Sequence, residues 1–235
     1  MKRMNDIKNQ NQKKLEEDPD LEEIADEIVK ELTKDDSKNA IQRHSERLFA
    51  MNLKDRVVWI DLEINTDRSY IAPTILDIEK QILAWNQEDK GKPVEERKPI
   101  KILLYCFGGD LDATLSLVSL MNISKTPIYT YNMGVAFSGG FLLLANGHKR
   151  FALANSTGLF HEGSANIQGN AEDVRSAQSN YERQLKLVKE NIATHTKISL
   201  KTLQKQKDKQ WYIPAQEMLK LGIVDGIVTD IDDLL

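Results

Sequence analysis

Several features are scarce in this 235-residue chain, and each scarcity argues against a class of protein. A single cysteine, Cys106, allows no intrachain disulfide and argues against a structural metal cage, so we expect a reducing cytoplasm, no metal and no cofactor. No apolar run approaches the roughly 20 residues of a spanning helix, and no apolar signal core opens the sequence, so we expect no membrane association. The net charge of -4 gives no basic field, which argues against nucleic acid or an anionic membrane as partner.

The composition is that of a folded protein with a polar N-terminal arm. Hydrophobic residues make up 40% and charged residues 29% of the chain, which is typical of a globular domain. Residues 1–19 have almost no apolar side chains and predict a flexible segment. Apolar residues then recur at helical spacing over 21–32, and a second short helix is predicted over 40–49. We therefore divide the chain into an N-terminal arm and helical extension, 1–50, and a main domain, 51–235.

The main domain alternates predicted strands and helices. Apolar strand patterns and amphipathic helix patterns follow one another along the chain, which favours a mainly parallel sheet with helices on its faces. The fold class expected is therefore α/β. The predicted strands are 56–60, 100–105, 128–131, 150–153 and 223–228, with a further apolar pair at 159–160, and the predicted helices are 73–85, 110–122, a short one after Ser138, and 171–194.

The long helix over 171–194 has a narrow apolar seam. Tyr181, Leu185, Val188 and Ile192 belong to a series with spacings of three and four residues, and the other faces are polar. Such a seam suits either a core stripe or a projecting arm that packs on an identical subunit. The sequence leaves both interpretations open.

Three short segments contain residues that could do chemistry. In MGVAFSGGFLLLANG, Ser138 lies two residues after Ala136 and two before Gly140, where a strand gives way to a helix. This spacing is close to that of the turn that exposes a nucleophilic serine, with the Gly139 amide beside it. Gly108 and its neighbour follow a strand and allow a backbone N–H to approach a ligand. His161 follows an apolar pair at the edge of the core. Each segment taken alone is also compatible with an ordinary turn or a structural histidine.

Taken together, these segments resemble the proteolytic subunit of the Clp protease over roughly residues 45–230. The similarity lies in MGVAFSGGFLL, KRFAL, GLFH, HTKISLKTLQ and the final LGIVDGIV. The resemblance implies the fold of the ClpP/crotonase superfamily, with repeated β-β-α spiral units and a projecting handle helix. It implies a serine peptidase with Ser138 as nucleophile, His161 as base, and the amides of Gly108 and Gly139 as oxyanion hole.

The sequence departs from the family pattern at the third catalytic position. The family has an aspartate where Gln210 stands in KDKQWYIPAQE. An amide oxygen can orient a histidine ring but provides no negative charge, so activity could be weakened. Asp208 is a possible substitute, on the same face as Gln210 if residues 207–213 are extended and turned away if they are helical.

Three functions remain open from the sequence. The leading one is a serine endopeptidase that cleaves unfolded or delivered polypeptides inside a ring-shaped oligomer. By resemblance, the ring would be a heptamer or stacked heptamers and could work with an AAA+ ATPase unfoldase. The second is a catalytically impaired structural subunit of a mixed ring. The third is a crotonase-like acyl-CoA enzyme, which lacks support because no CoA-binding surface or reacting carboxylates are evident.

Overall fold

The computed structural model describes residues 53–61, 63–66, 74–206 and 209–234, all within a unit that spans Met51–Leu235. The predicted N-terminal arm and its two helices lie outside the described residues, as does Asp208. The division of the chain at residue 50 therefore stays a prediction.

A mostly parallel sheet forms the centre of the described domain. Its main order is β1-β2-β3-β4-β7, with β5 added to β3 and β6 added to β5. The pairing of β6 with β5 is antiparallel, and the others are parallel. The strands are β1 Val57–Ile60, β2 Ile100–Cys106, β3 Ile128–Phe137, β4 Lys149–Leu153, β5 Thr157–Phe160, β6 Trp211–Pro214 and β7 Gly226–Val228.

Helices cover the sheet, as the alternating pattern predicted. The strands β2 and β3 are buried on both faces for most of their length, as expected for a parallel sheet between helices. The predicted α/β class, with the spiral fold and the long handle-like helix, is confirmed. The helices are α1 Ile75–Glu88, α2 Leu111–Ile123, α3 Gly139–Ala145, α4 Ala171–His195, α5 Leu200–Lys205 and α6 Ala215–Lys220.

The strand β3 is longer than predicted and pairs with two different neighbours on one side. Its first part, Tyr129–Asn132, pairs with β4, and its last part, Val135–Phe137, pairs with β5. The predicted strand ended at residue 131 because the small residues after it weaken a strand pattern. The extension pairs with β5 beyond the end of β4 and ends directly before Ser138.

Two further predictions change at the C-terminal end. The strand predicted over 223–228 is wrong in its first half, since β7 begins at Gly226 and Ile223 and Val224 are buried in an irregular segment. Burial in the core, and not strand pairing, explains why these two residues are apolar. Gly222 ends α6 as predicted, with a φ of 66° that suits glycine just beyond a helix.

The two halves of the long helix α4 differ in burial. The buried residues of this helix, Gln184 and Ile192, lie in its C-terminal half. The N-terminal half is exposed at most positions. Its packing on a second subunit stays a prediction. Among the described helices, none combines the length and the hydropathy that crossing a bilayer requires.

A buried ion pair joins β1 to the end of α1. The Asp89 carboxylate, with 1% of its side chain exposed, accepts from Arg56 at 2.6 and 3.1 Å and from Thr126 at 3.0 Å. The hydrogen bond from Arg56 holds the pKa of Asp89 well below its usual range. Removal of one partner of such a pair leaves an uncompensated buried charge.

We expect Asp89→Asn to lower the free energy of unfolding by about 3 kcal/mol, because the Arg56 guanidinium loses its buried carboxylate partner and keeps only the more exposed Glu88 at 3.1 Å. Chemical denaturation measures this. The pKa of Asp89 is depressed in the folded state, so its stabilisation is complete above the ordinary carboxyl pKa of about 3.9 and is lost as the pH falls below it. Asp55→Asn is the matched control, since Asp55 pairs with Lys98 on the surface and should give no measurable change. An equal effect of both substitutions would contradict the prediction.

Candidate active site

The ends of three neighbouring parallel strands bring the predicted catalytic segments together. Cys106 of β2 is in register with Ala136 of β3, and Phe137 of β3 with Leu159 of β5. Ser138 directly follows β3, and its amide donates to the carbonyl of Leu159 at 2.9 Å. The carboxyl ends of parallel strands meet at one edge of a sheet, so the residues that follow them converge there.

Ser138 has a strained backbone conformation. Its φ is 55° and its ψ is -118°. Residues other than glycine rarely adopt this region of backbone conformation. The turn lies between β3 and α3, and Leu142 donates to the Ser138 carbonyl to begin the helix. This is the strand–turn–helix arrangement that presents a nucleophilic hydroxyl at the top of a sheet.

The glycine pair packs directly against this turn. A Cβ on Gly108, which has a φ of 105°, would lie 2.7 Å from the Cβ of Ser138 and 3.2 Å from the Gly139 nitrogen. On Gly109, a Cβ would lie 2.2 Å from the carbonyl oxygen of Ile64. The Ile64 amide donates to the Gly108 carbonyl at 2.8 Å, so a backbone hydrogen bond also fixes the loop. Both positions therefore require glycine, because a Cβ atom at either one would clash with the atoms packed against it.

The Gly108 amide donates to the sulfur of Cys106 at 3.4 Å in this structure. An oxyanion hole needs this amide to face the reacting carbonyl. Sulfur is a weak acceptor, so this amide gives up only a weak hydrogen bond if it donates to a bound substrate instead. The Gly139 amide is at the first position of α3, where helical N–H groups have no partner within the helix. The oxyanion roles of Gly108 and Gly139 stay predictions.

A cleft of about 670 Å³ opens at this edge of the sheet, and both Ser138 and His161 line it. One wall is apolar and comes from Leu142 of α3 together with Leu185 and Val188 of α4. The lining also includes the polar chain after β5 and the first turn of α2. The cleft is large enough to hold several residues of an extended peptide.

His161 is half-buried, and burial lowers the pKa of its imidazole from the ordinary value. The neutral imidazole is the form that can accept a proton from a serine hydroxyl. Lowering the pKa keeps the ring neutral in mildly acid solution. The same shift makes the imidazole a weaker base, which is the expected consequence of burial without a facing carboxylate.

Gln210 is placed opposite His161 by strand register. In the antiparallel pairing of β5 with β6, Phe160 faces Trp211, and continuing by one residue sets His161 opposite Gln210. Residues 211–214 are extended, while Asp208 lies outside the described residues, so the alternatives for its side chain stay open. Gln210 is exposed, however, and its side-chain oxygen accepts from the Tyr212 hydroxyl at 2.9 Å. Among the described residues, no hydrogen bond joins it to His161.

Side chains of α4 that bind the rim of the cleft were not predicted from the sequence. Lys189 pairs with the carboxylate of Glu162 at 2.8 Å, and Tyr181 donates to the Glu162 carbonyl at 2.9 Å. These contacts join residues 27 and 19 positions apart in the sequence. The only signal was the position of Tyr181 in the helix seam.

The comparison with known families agrees with this geometry. Residues 41–230 match the sequence profile of the Clp protease family. The chain belongs to the Clp protease family. Two relatives, each named ATP-dependent Clp protease proteolytic subunit, come from Dehalococcoides mccartyi strains BAV1 and CBDB1. Each is 26% identical over 183 residues, which cover 77% of this chain and 86% of the relative.

Membership in the Clp protease family makes this chain a ClpP-like serine peptidase by class. The crotonase-like alternative is not favoured by these findings. The matched region contains every strand and α helix described above. The identity of the catalytic residues is a separate question.

Proposed function

We propose that the chain is an active serine endopeptidase that cleaves polypeptides through an acyl-enzyme on Ser138. The observation that carries this proposal is the strained turn of Ser138 at the end of β3, in one cleft with His161. A strained nucleophile that faces an open cleft is typical of acyl-transfer enzymes.

In this mechanism, His161 takes the proton of the Ser138 hydroxyl as its oxygen attacks a peptide carbonyl. The amides of Gly108 and Gly139 then donate to the oxyanion of the tetrahedral intermediate. The imidazolium gives its proton to the leaving amine, and the acyl-enzyme forms. Water, activated by the same imidazole, releases the acyl group and restores Ser138.

The third position of the triad decides how active the site is. Gln210 can orient the His161 ring after a rotation that breaks its bond to Tyr212. It provides no charge, and a carboxylate ~4 Å away at an effective dielectric of ~20 would stabilise the imidazolium by up to roughly 4 kcal/mol. Asp208, two residues earlier, is the candidate for that charge. We expect slow catalysis if Gln210 acts alone.

The proposed assembly is a ring of identical subunits in the cytoplasm, served by an AAA+ ATPase that delivers unfolded polypeptide. The relatives are named as subunits of an ATP-dependent protease, which supports this arrangement. The exposed N-terminal half of α4 offers a surface for a second subunit. The alternative is a catalytically impaired subunit in a mixed ring, which the bond between Gln210 and Tyr212 favours.

The test is labelling of the purified full chain with a fluorophosphonate probe, followed by peptide mass mapping and by sedimentation of the same sample. We expect the adduct on the peptide that contains Ser138, in a particle of seven or more subunits. Asp208→Ala and Gln210→Ala identify the group that orients His161, because loss of that group slows labelling.

Each contrary result has a definite meaning in this experiment. An adduct on another serine would reject the nucleophile assignment. A ring that remains unlabelled would favour the impaired-subunit alternative over the peptidase. A monomer in sedimentation would reject the proposed assembly.

A further inference from the structure

Four aromatic side chains form a row beside Ser138. The ring centroids of Tyr105 and Phe107 are 6.1 Å apart, those of Phe107 and Phe137 are 5.7 Å apart, and those of Phe137 and Tyr212 are 5.7 Å apart. All three pairs meet edge to face, an arrangement that aromatic rings prefer. We call these four residues the aromatic strip.

The aromatic strip is largely open to solvent. The exposed fraction is 46% for Tyr105, 64% for Phe107 and 53% for Tyr212, and Phe137 is half-buried. An exposed apolar patch of a few hundred Å² on a soluble protein is often a binding site. The strip therefore needs an explanation that packing within the fold does not give.

The rings of the aromatic strip are held in place within the domain. Gly134 of β3 leaves the space that the Tyr105 ring fills, because a Cβ at Gly134 would lie 2.5 Å from the Cε2 atom of that ring. The Tyr212 hydroxyl donates to the side-chain oxygen of Gln210 at 2.9 Å. Aromatic rings that are already fixed lose little conformational entropy when a ligand binds them.

The aromatic strip is continuous with the cleft at Phe107. This side chain lines the cleft together with Ser138 and His161. Phe107 also directly precedes Gly108 in the chain, and Phe137 directly precedes Ser138. A polypeptide that lies in the cleft with a peptide bond at Ser138 therefore has the aromatic strip beside it.

The spacing of the rings suits an extended peptide. Side chains on one face of an extended chain repeat roughly every 6.6 Å, because each residue advances the chain by about 3.3 Å. Successive ring centroids in the aromatic strip are 5.7 to 6.1 Å apart. Alternate side chains of one peptide can therefore each contact a different ring.

The area of the aromatic strip also favours a peptide over a second copy of the chain. With about 200 Å² for each aromatic side chain, the exposed fractions of Tyr105, Phe107 and Tyr212 leave roughly 300 Å². A stable interface between two proteins needs about 800 Å² from each partner. An area of roughly 300 Å² corresponds to a few side chains of a bound peptide.

We propose that the aromatic strip is a second subsite of the cleft, which binds aromatic or large apolar side chains at alternate positions of a polypeptide substrate. None of its four residues is charged, so the strip favours uncharged side chains, and edge-to-face contact adds to apolar burial when the side chain is aromatic. The inference rests on the proposed function, because it names the class of polypeptide that the peptidase would prefer.

The first test measures binding without catalysis, on the full chain with Ser138→Ala. The probe is a fluorescein-labelled peptide in which phenylalanine and serine alternate, and the matched peptide has the same composition with the phenylalanines grouped together. Only the alternating peptide places all its rings on one face of an extended chain. We expect it to bind about fivefold more tightly than the grouped peptide in fluorescence anisotropy.

Variants of the aromatic strip identify where the peptide binds. Phe107→Ser in the same background should weaken binding of the alternating peptide by about tenfold, because it removes the most exposed ring of the strip. Phe107→Tyr retains a ring and should restore the binding. Ile123→Ser is the matched control, since Ile123 is 76% exposed on α2 and does not belong to the strip, and it should change nothing. Circular dichroism and sedimentation check the fold and the assembly of each variant.

Hydrolysis by the chain that retains Ser138 gives the functional readout. In Phe107→Ser, the KM for the alternating peptide should rise about tenfold with kcat retained, because a contact remote from the reacting bond contributes equally to the ground state and the transition state. The preference for the alternating over the grouped peptide should disappear. A fall in kcat with KM unchanged would mean that Phe107 only supports the Gly108 loop, which would overturn the inference.

The other outcomes separate the inference from the proposed function. Equal binding of the two peptides, or undiminished binding in a folded Phe107→Ser variant, would overturn the inference. A variant whose assembly dissociates while each subunit still binds the peptide would assign the strip to contact between copies and would also overturn it. A wild type that binds the alternating peptide but is neither labelled nor active would overturn the peptidase proposal alone. If Phe107→Ser does not fold, Tyr105→Ser takes its place, and undiminished binding there would overturn the inference.

Discussion

Ser138→Ala is expected to lower the rate of peptide hydrolysis by about 10⁴-fold or more. The substitution removes the oxygen that we propose attacks the substrate and leaves the Cβ that packs against Gly108, so only the chemistry should change. Hydrolysis of a fluorogenic peptide by matched amounts of each protein measures the loss. Ser119→Ala is the control, because its hydroxyl bonds only to the carbonyl of Leu115 on the exposed side of α2.

Ser138→Gly separates strain from catalysis at the same position. It should be as inactive as Ser138→Ala and more stable by about 1 kcal/mol, because glycine adopts a φ of 55° and a ψ of -118° without steric cost. The greater freedom of glycine in the unfolded chain offsets part of the gain. Urea denaturation of the three proteins gives the comparison. If the Ser138→Gly variant is less stable than the Ser138→Ala variant, the turn at Ser138 is not under strain.

Gly108→Ala should lower the hydrolysis rate by about 100-fold or more. The new methyl group would lie 2.7 Å from the Cβ of Ser138 and 3.1 Å from the Phe137 carbonyl, so the serine turn must shift. Displacement of a nucleophile by a fraction of an ångström, together with a misplaced oxyanion donor, accounts for a loss of this size.

The matched control for Gly108 is Gly91→Ala. Gly91 has a similar φ of 91°, but no atom lies within 4 Å of the position of its Cβ. Gly91→Ala therefore imposes the same kind of backbone strain without a clash and should lower stability while leaving kcat unchanged. Similar activity in the two variants would mean that contact with Ser138 does not explain the requirement for glycine.

The local parts of the site were predictable from the sequence because strand ends and small residues leave a pattern in adjacent positions. The turn at Ser138, the Gly108–Gly109 loop and the position of His161 after an apolar strand were all found in this way. The extension of β3 to Phe137 was not, since the glycine and alanine in it have low strand propensity.

The contacts across the cleft could not have been predicted. The pairing of Lys189 with Glu162 depends on which face of α4 meets the end of β5, and no sequence pattern fixes that. The same holds for Arg56 and Asp89, which are 33 residues apart. The position of Gln210 beside His161 was expected from the family resemblance alone, and the register of β6, a four-residue strand that includes a proline, sets the two residues opposite each other.

The order of the strands has a consequence for the synthesis of the protein. Gly108, Ser138 and His161 follow strands separated by entire helices, and β6, which flanks His161, comes from near the C-terminus. Pairings of such long range form late in folding, because chain closure must precede them. A chain still emerging from the ribosome therefore has the serine but not the finished cleft, so the proposed peptidase would remain silent until β6 has been synthesised and paired with β5.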